Sequence, residues 1–144
     1  MYQYDTQKTV NTFVLNHSVT SAKVELKGQQ PHRLYSYNKN YYIIARHGDT
    51  FASLSKELRI SAFKLARYNE RDMVEMLADG DVVYLMKKQK HAVKEYRGRY
   101  HVVKNGESLY SIAQHYGVRL SRLYIWNRLS LDYAVKVGDK IYLY

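Results

Sequence analysis

The sequence predicts an α+β protein made of two small strand–helix–helix–strand units in tandem. Each unit is expected to hold a two-stranded antiparallel sheet packed under two helices, and the pair follows an N-terminal linker. Three observations carry this. The chain repeats itself without a gap at an offset of 58 residues. Each copy opens and closes on a short β-prone run. Between those runs lie apolar residues at helical spacing, each set introduced by a hydroxyl side chain.

The repeat is sought first because missing it would mislead every later step. Tyr42 falls on Tyr100, Gly48 on Gly106, Ser53 on Ser111, Leu65 on Leu123 and Asn69 on Asn127. Gly80 falls on Gly138, Asp81 on Asp139, Tyr84 on Tyr142 and Leu85 on Leu143. Asp49 with Glu107, Thr50 with Ser108, Ile60 with Val118 and Tyr68 with Trp126 are conservative matches. Each copy is a unit of roughly 45 residues, near the lower limit for folding alone. The expected divisions are 1–31 as linker or the end of an upstream domain, 32–87 as the first unit, 88–98 as a linker and 99–144 as the second unit. The separator Met86–Gly98 carries Lys87, Lys88, Lys90, Lys94 and Arg97 against Glu95 and reads as a solvated basic linker.

In the second copy, Tyr100–Val103 is the opening strand and Asn105-Gly106 breaks it. Ser108 caps a helix whose apolar positions are Leu109, Ile112, Ala113 and Tyr116. Gly117 ends it in a left-handed conformation. Ser121 is expected to cap a second helix that turns Leu123 and Trp126 inward. Gly138-Asp139 marks a turn, and Lys140–Tyr144 is the closing strand. Two strands alone are marginal, so the helices must complete the core.

The first copy follows the same order less regularly. Tyr41–Ala45 is its strand, Phe51, Leu54 and Leu58 mark one helix, Leu65 and Tyr68 the next, and Val82–Met86 closes it. Arg59 stands where the second copy has Gly117, which weakens the helix stop. His32–Tyr37, then Asn38-Lys39-Asn40, then Tyr41–Ala45 reads as strand, turn, strand, so this unit is expected to carry an additional N-terminal strand. Met1–Pro31 is polar and reads as linker, with Thr12–Leu15 its one strand candidate.

Composition narrows the function classes. With 46% hydrophobic residues the chain is not disordered as a whole. No run of 18 apolar residues exists, which excludes a spanning helix. The absence of cysteine excludes disulfide scaffolds, Cys-ligated zinc and thiol catalysis. Met1–Thr20 shows no signal peptide, so the chain is either cytoplasmic or the tail of something longer. A net charge of +10 favours an anionic partner, and sixteen tyrosines suit surfaces that are half packed and half wet.

The residues Tyr100, Gly106-Glu107-Ser108-Leu109, Ile112-Ala113, Tyr116-Gly117-Val118, Trp126-Asn127 and Gly138–Ile141 resemble a LysM domain over the whole second unit. Gly48-Asp49-Thr50-Phe51, Leu65, Tyr68-Asn69 and Gly80–Val83 give the first unit a similar, more degenerate look, departing at Ser55 and Arg59. Together with His32–Thr50, Tyr68–Asp72 and the opening Tyr2–Asp5, the layout resembles the C-terminal part of exported Bacteroidetes glucosaminidases, in which a peptidoglycan-cleaving domain precedes two LysM units. Met1 would then be an internal or artificial start.

The resemblance implies binding of N-acetylglucosamine polymers, peptidoglycan or chitin-like, in a groove between the loop entering the first helix and the loop leaving the second. Carried over, the groove in the second unit is Gly106, Glu107, Ser108 and Leu109 opposite Asn127, Leu129, Ser130 and Leu131. In the first unit it is Gly48, Asp49, Thr50 and Phe51 opposite Glu70, Arg71, Asp72 and Met73. Acetamido groups require a backbone N–H and C=O in return, and a glycine lets the backbone come close. Two weak grooves on one chain gain by avidity. The resemblance further implies a non-catalytic anchor for an exported peptidoglycan hydrolase, placed in the cell envelope, with a monomer expected.

Plainer roles compete. Gly48-Asp49 and Gly106-Glu107 also serve as turns that set an acid at a helix start. Trp126, matched by Tyr68, reads as core, and Asn69 and Asn127 as helix-terminating hydrogen-bonders. Tyr110, Tyr124 and Tyr133, unmatched in the other copy, are the candidates for exposed stacking, against plain surface tyrosine. The six histidines show no metal spacing, and no cofactor or metal is expected. Two rivals stay open: a fragment of a hydrolase whose activity lies in the parent chain, and a basic nucleic-acid binder using the Lys- and Tyr-rich stretch Lys87–Tyr100.

Overall fold

A computed structural model of the chain describes residues 30–144. The strand candidate Thr12–Leu15, the opening Tyr2–Asp5 and most of the expected linker lie outside the described residues. The chain divides into two compact units, with the division at Lys87 and Lys88. Among the described residues the structure is α+β, with four helices and two small antiparallel sheets. Among the described residues no helix is long and apolar enough to cross a membrane.

The unit up to Lys87 has the order β1 (Tyr35–Tyr37), β2 (Asn40–Ile44), α1 (Phe51–Leu58), α2 (Ala62–Tyr68), β3 (Val82–Tyr84). Its sheet has three strands in the order β1-β2-β3, so the additional N-terminal strand is present and a two-stranded sheet is corrected. Asn38 and Lys39 turn with φ of 47° and 57°, the two left-handed residues that a tight hairpin requires. Tyr42 pairs with Tyr35 on one side and Tyr84 on the other. Alternation then divides the side chains. Ile43, Val83 and Leu85 join Phe51, Leu54 and Leu65 under the helices. Tyr42, Val82 and Tyr84 form a second cluster on the opposite face, roofed by Tyr35 and Tyr37.

Thr50 caps α1 by accepting from Ser53 N, and Ser53 Oγ accepts from Thr50 N, each at 3.0 Å. The helix stops at Arg59 in a left-handed conformation, φ 55°, which a side chain adopts at a cost of about 1–2 kcal/mol. Its partner in the second unit, Gly117, takes φ 63° as the sequence predicts, and glycine meets no such penalty.

The second unit contains a 3-10 turn (Lys94–Tyr96), β4 (Tyr100–Val102), α3 (Leu109–Tyr116), α4 (Leu120–Trp126) and β5 (Lys140–Tyr142). Its sheet is the two-stranded pair β4-β5, with Tyr100 opposite Tyr142. Leu109, Ile112, Ala113, Leu123, Ile141 and Leu143 form the core. Ser108 caps α3 with Ser111 in reply.

Three expectations change here. The segment read as a solvated linker belongs to this unit: Lys88 and Ala92 are 1% and 0% exposed, while Lys87, Lys90, Lys94 and Arg97 face outward. Ala92 N donates to Tyr144 O, Tyr96 packs on Tyr116, and Lys88 Nζ sits over the Tyr110 ring at 5.8 Å. Ser121 does not cap α4. The cap is Arg119, without a side-chain bond, because Gln89 pairs with Val118 and accepts from Arg119 N. Trp126 is half-buried rather than core, wedged between His91 at 6.3 Å and Tyr144 at 5.8 Å.

Candidate functional site

The loop entering α3 turns at Gly106, φ 83°, a value that favours glycine. Glu107 follows, and its carboxylate points back into the unit. Oε1 accepts from Lys104 N at 2.7 Å and faces His101 Nε2 at 2.9 Å, while His101 Nδ1 meets Tyr116 Oη at 2.8 Å. Glu107 thus fixes the loop. Of the expected groove residues there, Gly106 and Ser108 are exposed. Leu109 is 4% exposed and roots the loop in the core.

The loop leaving α4 is held by Asn127. Its Nδ2 donates to Leu123 O at 2.9 Å and Tyr142 O at 3.1 Å, and its Oδ1 accepts from Tyr142 N at 2.7 Å. This side chain ends the helix, as the sequence predicts, and also ties it to the closing strand. Leu129 packs against the same apolar cluster that contains Leu109, so both loops are rooted in one core. Ser130 and Leu131 stay outside, Leu131 at 83% exposure. The hydroxyl of Tyr133 donates to Asp139 at 2.6 Å and holds that carboxyl below the usual range, with Lys136 N adding to it. Tyr110 under Lys88, Tyr124 against the core and Tyr133 on Asp139 are all half-buried, so none of the three stacking candidates stands fully exposed. Beside the exit loop, Trp126, Leu129, Tyr133 and Tyr142 border a cavity of about 290 Å³.

In the first unit the matching loop turns at Gly48, and Asp49 accepts from Arg46 N at 2.6 Å and faces His32 Nε2 at 2.6 Å. His32 Nδ1 lies 2.7 Å from Glu57. Phe51 is wholly buried and presents nothing at the loop surface. Arg71 is committed to its own loop: Nε to Glu75, Nη1 to Asp81 and Nη2 to Met76 O, each at 2.9 Å. Glu70 and Asp72 are exposed, Asp72 Oδ1 accepts from Val74 N, and Met73 is 45% exposed. Thr50 forms a β-bridge with Met76 across the two loops. The equivalent positions in the second unit, Ser108 and Ala134, carry no such bridge among the described residues.

Sequence reasoning missed the histidines. His32 and His101 were expected to be scattered polar residues, yet each faces the acid that opens a helix. They occupy unmatched positions in the repeat, so no periodic signal marks them. The available signal was the unmatched His itself beside a matched acid. Among the described residues no group of His, Cys, Asp or Glu is arranged to hold a metal.

A LysM domain matches residues 101–143. This family is a binding module for N-acetylglucosamine-containing glycans such as peptidoglycan, and it is associated with the cell wall. Among solved structures, the spore cortex-lytic enzyme SleL of Bacillus cereus aligns at 27% identity over 72% of this chain, with a TM-score of 0.30. SleL of Bacillus megaterium QM B1551 aligns at 24% identity over 71%, also with a TM-score of 0.30. The chain spans 22% of the length of either enzyme. No curated protein matches the chain.

Proposed function

We propose that this chain is a non-catalytic tandem LysM module that anchors an exported peptidoglycan hydrolase to cell-wall glycan in the envelope. The observation that carries the reading is the loop pair of the second unit, seated within the LysM match. Gly106 and Ser108 are exposed on one loop and Ser130 and Leu131 on the other, and both loops are rooted in one core cluster through Leu109 and Leu129. Such a surface offers backbone donors and acceptors to an acetamido group and an apolar seat to its methyl.

The second unit supplies the principal groove. In the first unit the Thr50–Met76 bridge and the Arg71 network already use the equivalent loop groups, leaving Met73 and Asp72 at the rim. The first unit then contributes modest additional affinity by avidity on a polymer. The module acts as a monomer.

Pull-down on purified peptidoglycan and on chitin, at low and high salt, tests the reading. Binding should resist salt and be competed by chito-oligosaccharide, because acetamido hydrogen bonds release few counterions. Binding that collapses with salt would transfer the function to the basic surface and a polyanion such as nucleic acid. Release of reducing sugar by the chain alone would overturn the non-catalytic reading.

A further inference from the structure

The two units contain the same tyrosine pair in different surroundings. Tyr42 and Tyr84 meet at 5.7 Å and 60°, and Tyr100 and Tyr142 at 5.6 Å and 64°. The first pair is 0% exposed, the second 47% and 42% exposed. One element that covers the first pair is β1. It lies along β2, stacks Tyr35 on Tyr42 at 5.2 Å, and is preceded by Leu34, which is 4% exposed. Upstream of it, His32 N donates to Glu57 at the end of α1.

The second unit has the mould without the strand. Val103 N donates to Asp139 O and Leu143 N to Arg99 O. By antiparallel alternation, His101 bonds to β5 while the N–H and C=O of Tyr100 and Val102 point away from it. Among the described residues no strand pairs with that outer edge. Alongside it runs a cleft of about 350 Å³ lined by Tyr96, Tyr100, Val102, Lys104, His115 and Tyr116. His115 and Tyr116 stand at the repeat positions of Glu57 and Leu58, where the first unit seats its own His32–Leu34 segment.

We propose that the outer edge of β4 is a strand-addition site for an extended acidic peptide segment of a partner protein, paired antiparallel in the register that β1 uses on β2. The β1 register reaches Tyr42, the equivalent of Tyr100, and continued by two residues it adds main-chain bonds to Val102; together these give the affinity. An aromatic side chain stacks on Tyr100, as Tyr35 does on Tyr42, and an aliphatic one enters the cleft, as Leu34 is buried in the first unit. The acidic character follows from the rim. Arg99 precedes the strand, Lys104 follows it, and Lys140 Nζ stands 4.9 Å over the Tyr100 ring, all three exposed. Of the nearby carboxylates, Glu107 is engaged by His101 and Lys104 N, and Asp139 by Tyr133. A second copy of this chain, net +10, would bring like charge to the same rim. The proposal does not rest on the glycan reading, although Lys104 adjoins Glu107 of the entry loop.

The probe is a capped Glu-Leu-Tyr-Ser-Tyr-Glu peptide, titrated into the full chain and followed by amide NMR and hydrogen exchange. The amides of Tyr100 and Val102 should shift and gain protection. Methylating the amide nitrogen of the first probe tyrosine should abolish binding. Lys104→Glu should weaken it at least five-fold, and so should Val102→Pro, which removes an outward donor. The methylated probe and Lys104→Glu keep the test valid if Val102→Pro does not fold. Five results would overturn the proposal. Tyr100 and Val102 do not respond. The methylated probe, or one with lysine ends, binds equally well. Those amides are already protected in the dilute chain alone. Their protection grows with chain concentration as dimer forms. Chito-oligosaccharide displaces the peptide.

Discussion

His32 Nε2 lies 2.6 Å from Asp49 Oδ2, and the other ring nitrogen lies 2.7 Å from Glu57 Oε1. One imidazole therefore joins the segment before β1 to the loop that opens α1 and to that helix's last turn. Burial works against its charge, but the hydrogen bonds to Glu57 and Asp49 outweigh it, so its pKa stands above the ordinary 6.5. The sign follows from linkage. A raised folded pKa stabilises fully below the unfolded value, and the stabilisation is lost as pH rises through the folded one. His32→Gln should destabilise the first unit by about 1–3 kcal/mol at pH 6 and by clearly less at pH 8.5. Hydrogen exchange of the Ile43 and Leu54 amides reads this unit directly. A loss equal at both pH values would refute the charged ring.

The second unit should respond to pH in the opposite sense. Burial, with His101 nearby, lowers the pKa of His115 to about 3 against a smaller opposing effect of Glu107. The ring is thus neutral in the fold, and the unfolded chain takes up the proton first. Stability is fully present above about pH 6.5 and declines as pH falls, by on the order of 2–3 kcal/mol at pH 4. Urea unfolding followed by Trp126 fluorescence isolates this unit. His115→Phe should flatten that decline, and an unchanged slope would place the effect elsewhere.

Asn69 and Asn127 should be unequal in cost although their bonds are alike. Asn69 donates to Leu65 O and Tyr84 O and accepts from Tyr84 N, at 1% exposure. Asn127 repeats the pattern half-exposed, where water can replace a lost partner. Asn69→Ala should cost about 2–4 kcal/mol and Asn127→Ala about 1–2 kcal/mol. Thermal unfolding of the two variants compares them, and a larger loss at Asn127 would contradict the burial argument.

Arg59→Gly should stabilise the first unit by up to about 1 kcal/mol, because the left-handed conformation at φ 55° is then free of its side-chain penalty. Gly117→Ala should lower the second unit by about 1 kcal/mol for the reverse reason. Denaturant midpoints decide both signs.

Leu131→Ala should weaken glycan retention about three- to ten-fold while leaving the unfolding midpoint unchanged, since the side chain is 83% exposed. Met73→Ala should have a smaller effect on retention. Equal losses would mean that both grooves contribute alike.

The features legible in the residues themselves are those fixed within a turn or two of chain. The caps at Thr50 and Ser108, the stop at Gly117, the hairpin at Asn38-Lys39 and the repeat of strand, helix, helix and strand all rest on neighbours three or four positions apart, or on side-chain period. The identity of the loops follows too, since they are what lies between such elements. Other features depend on segments that meet only after folding. His32 reaches carboxylates 17 and 25 residues away. Asn127 bonds a strand 15 residues on. Gln89 sets the start of α4 from well upstream, and Lys88 and Ala92 beside it are drawn out of water. Most of all, one repeated tyrosine pair is buried in the first unit and open in the second. Its residues are identical in both, and the difference lies in what packs over them, because burial is a property of the packed neighbour and not of the side chain.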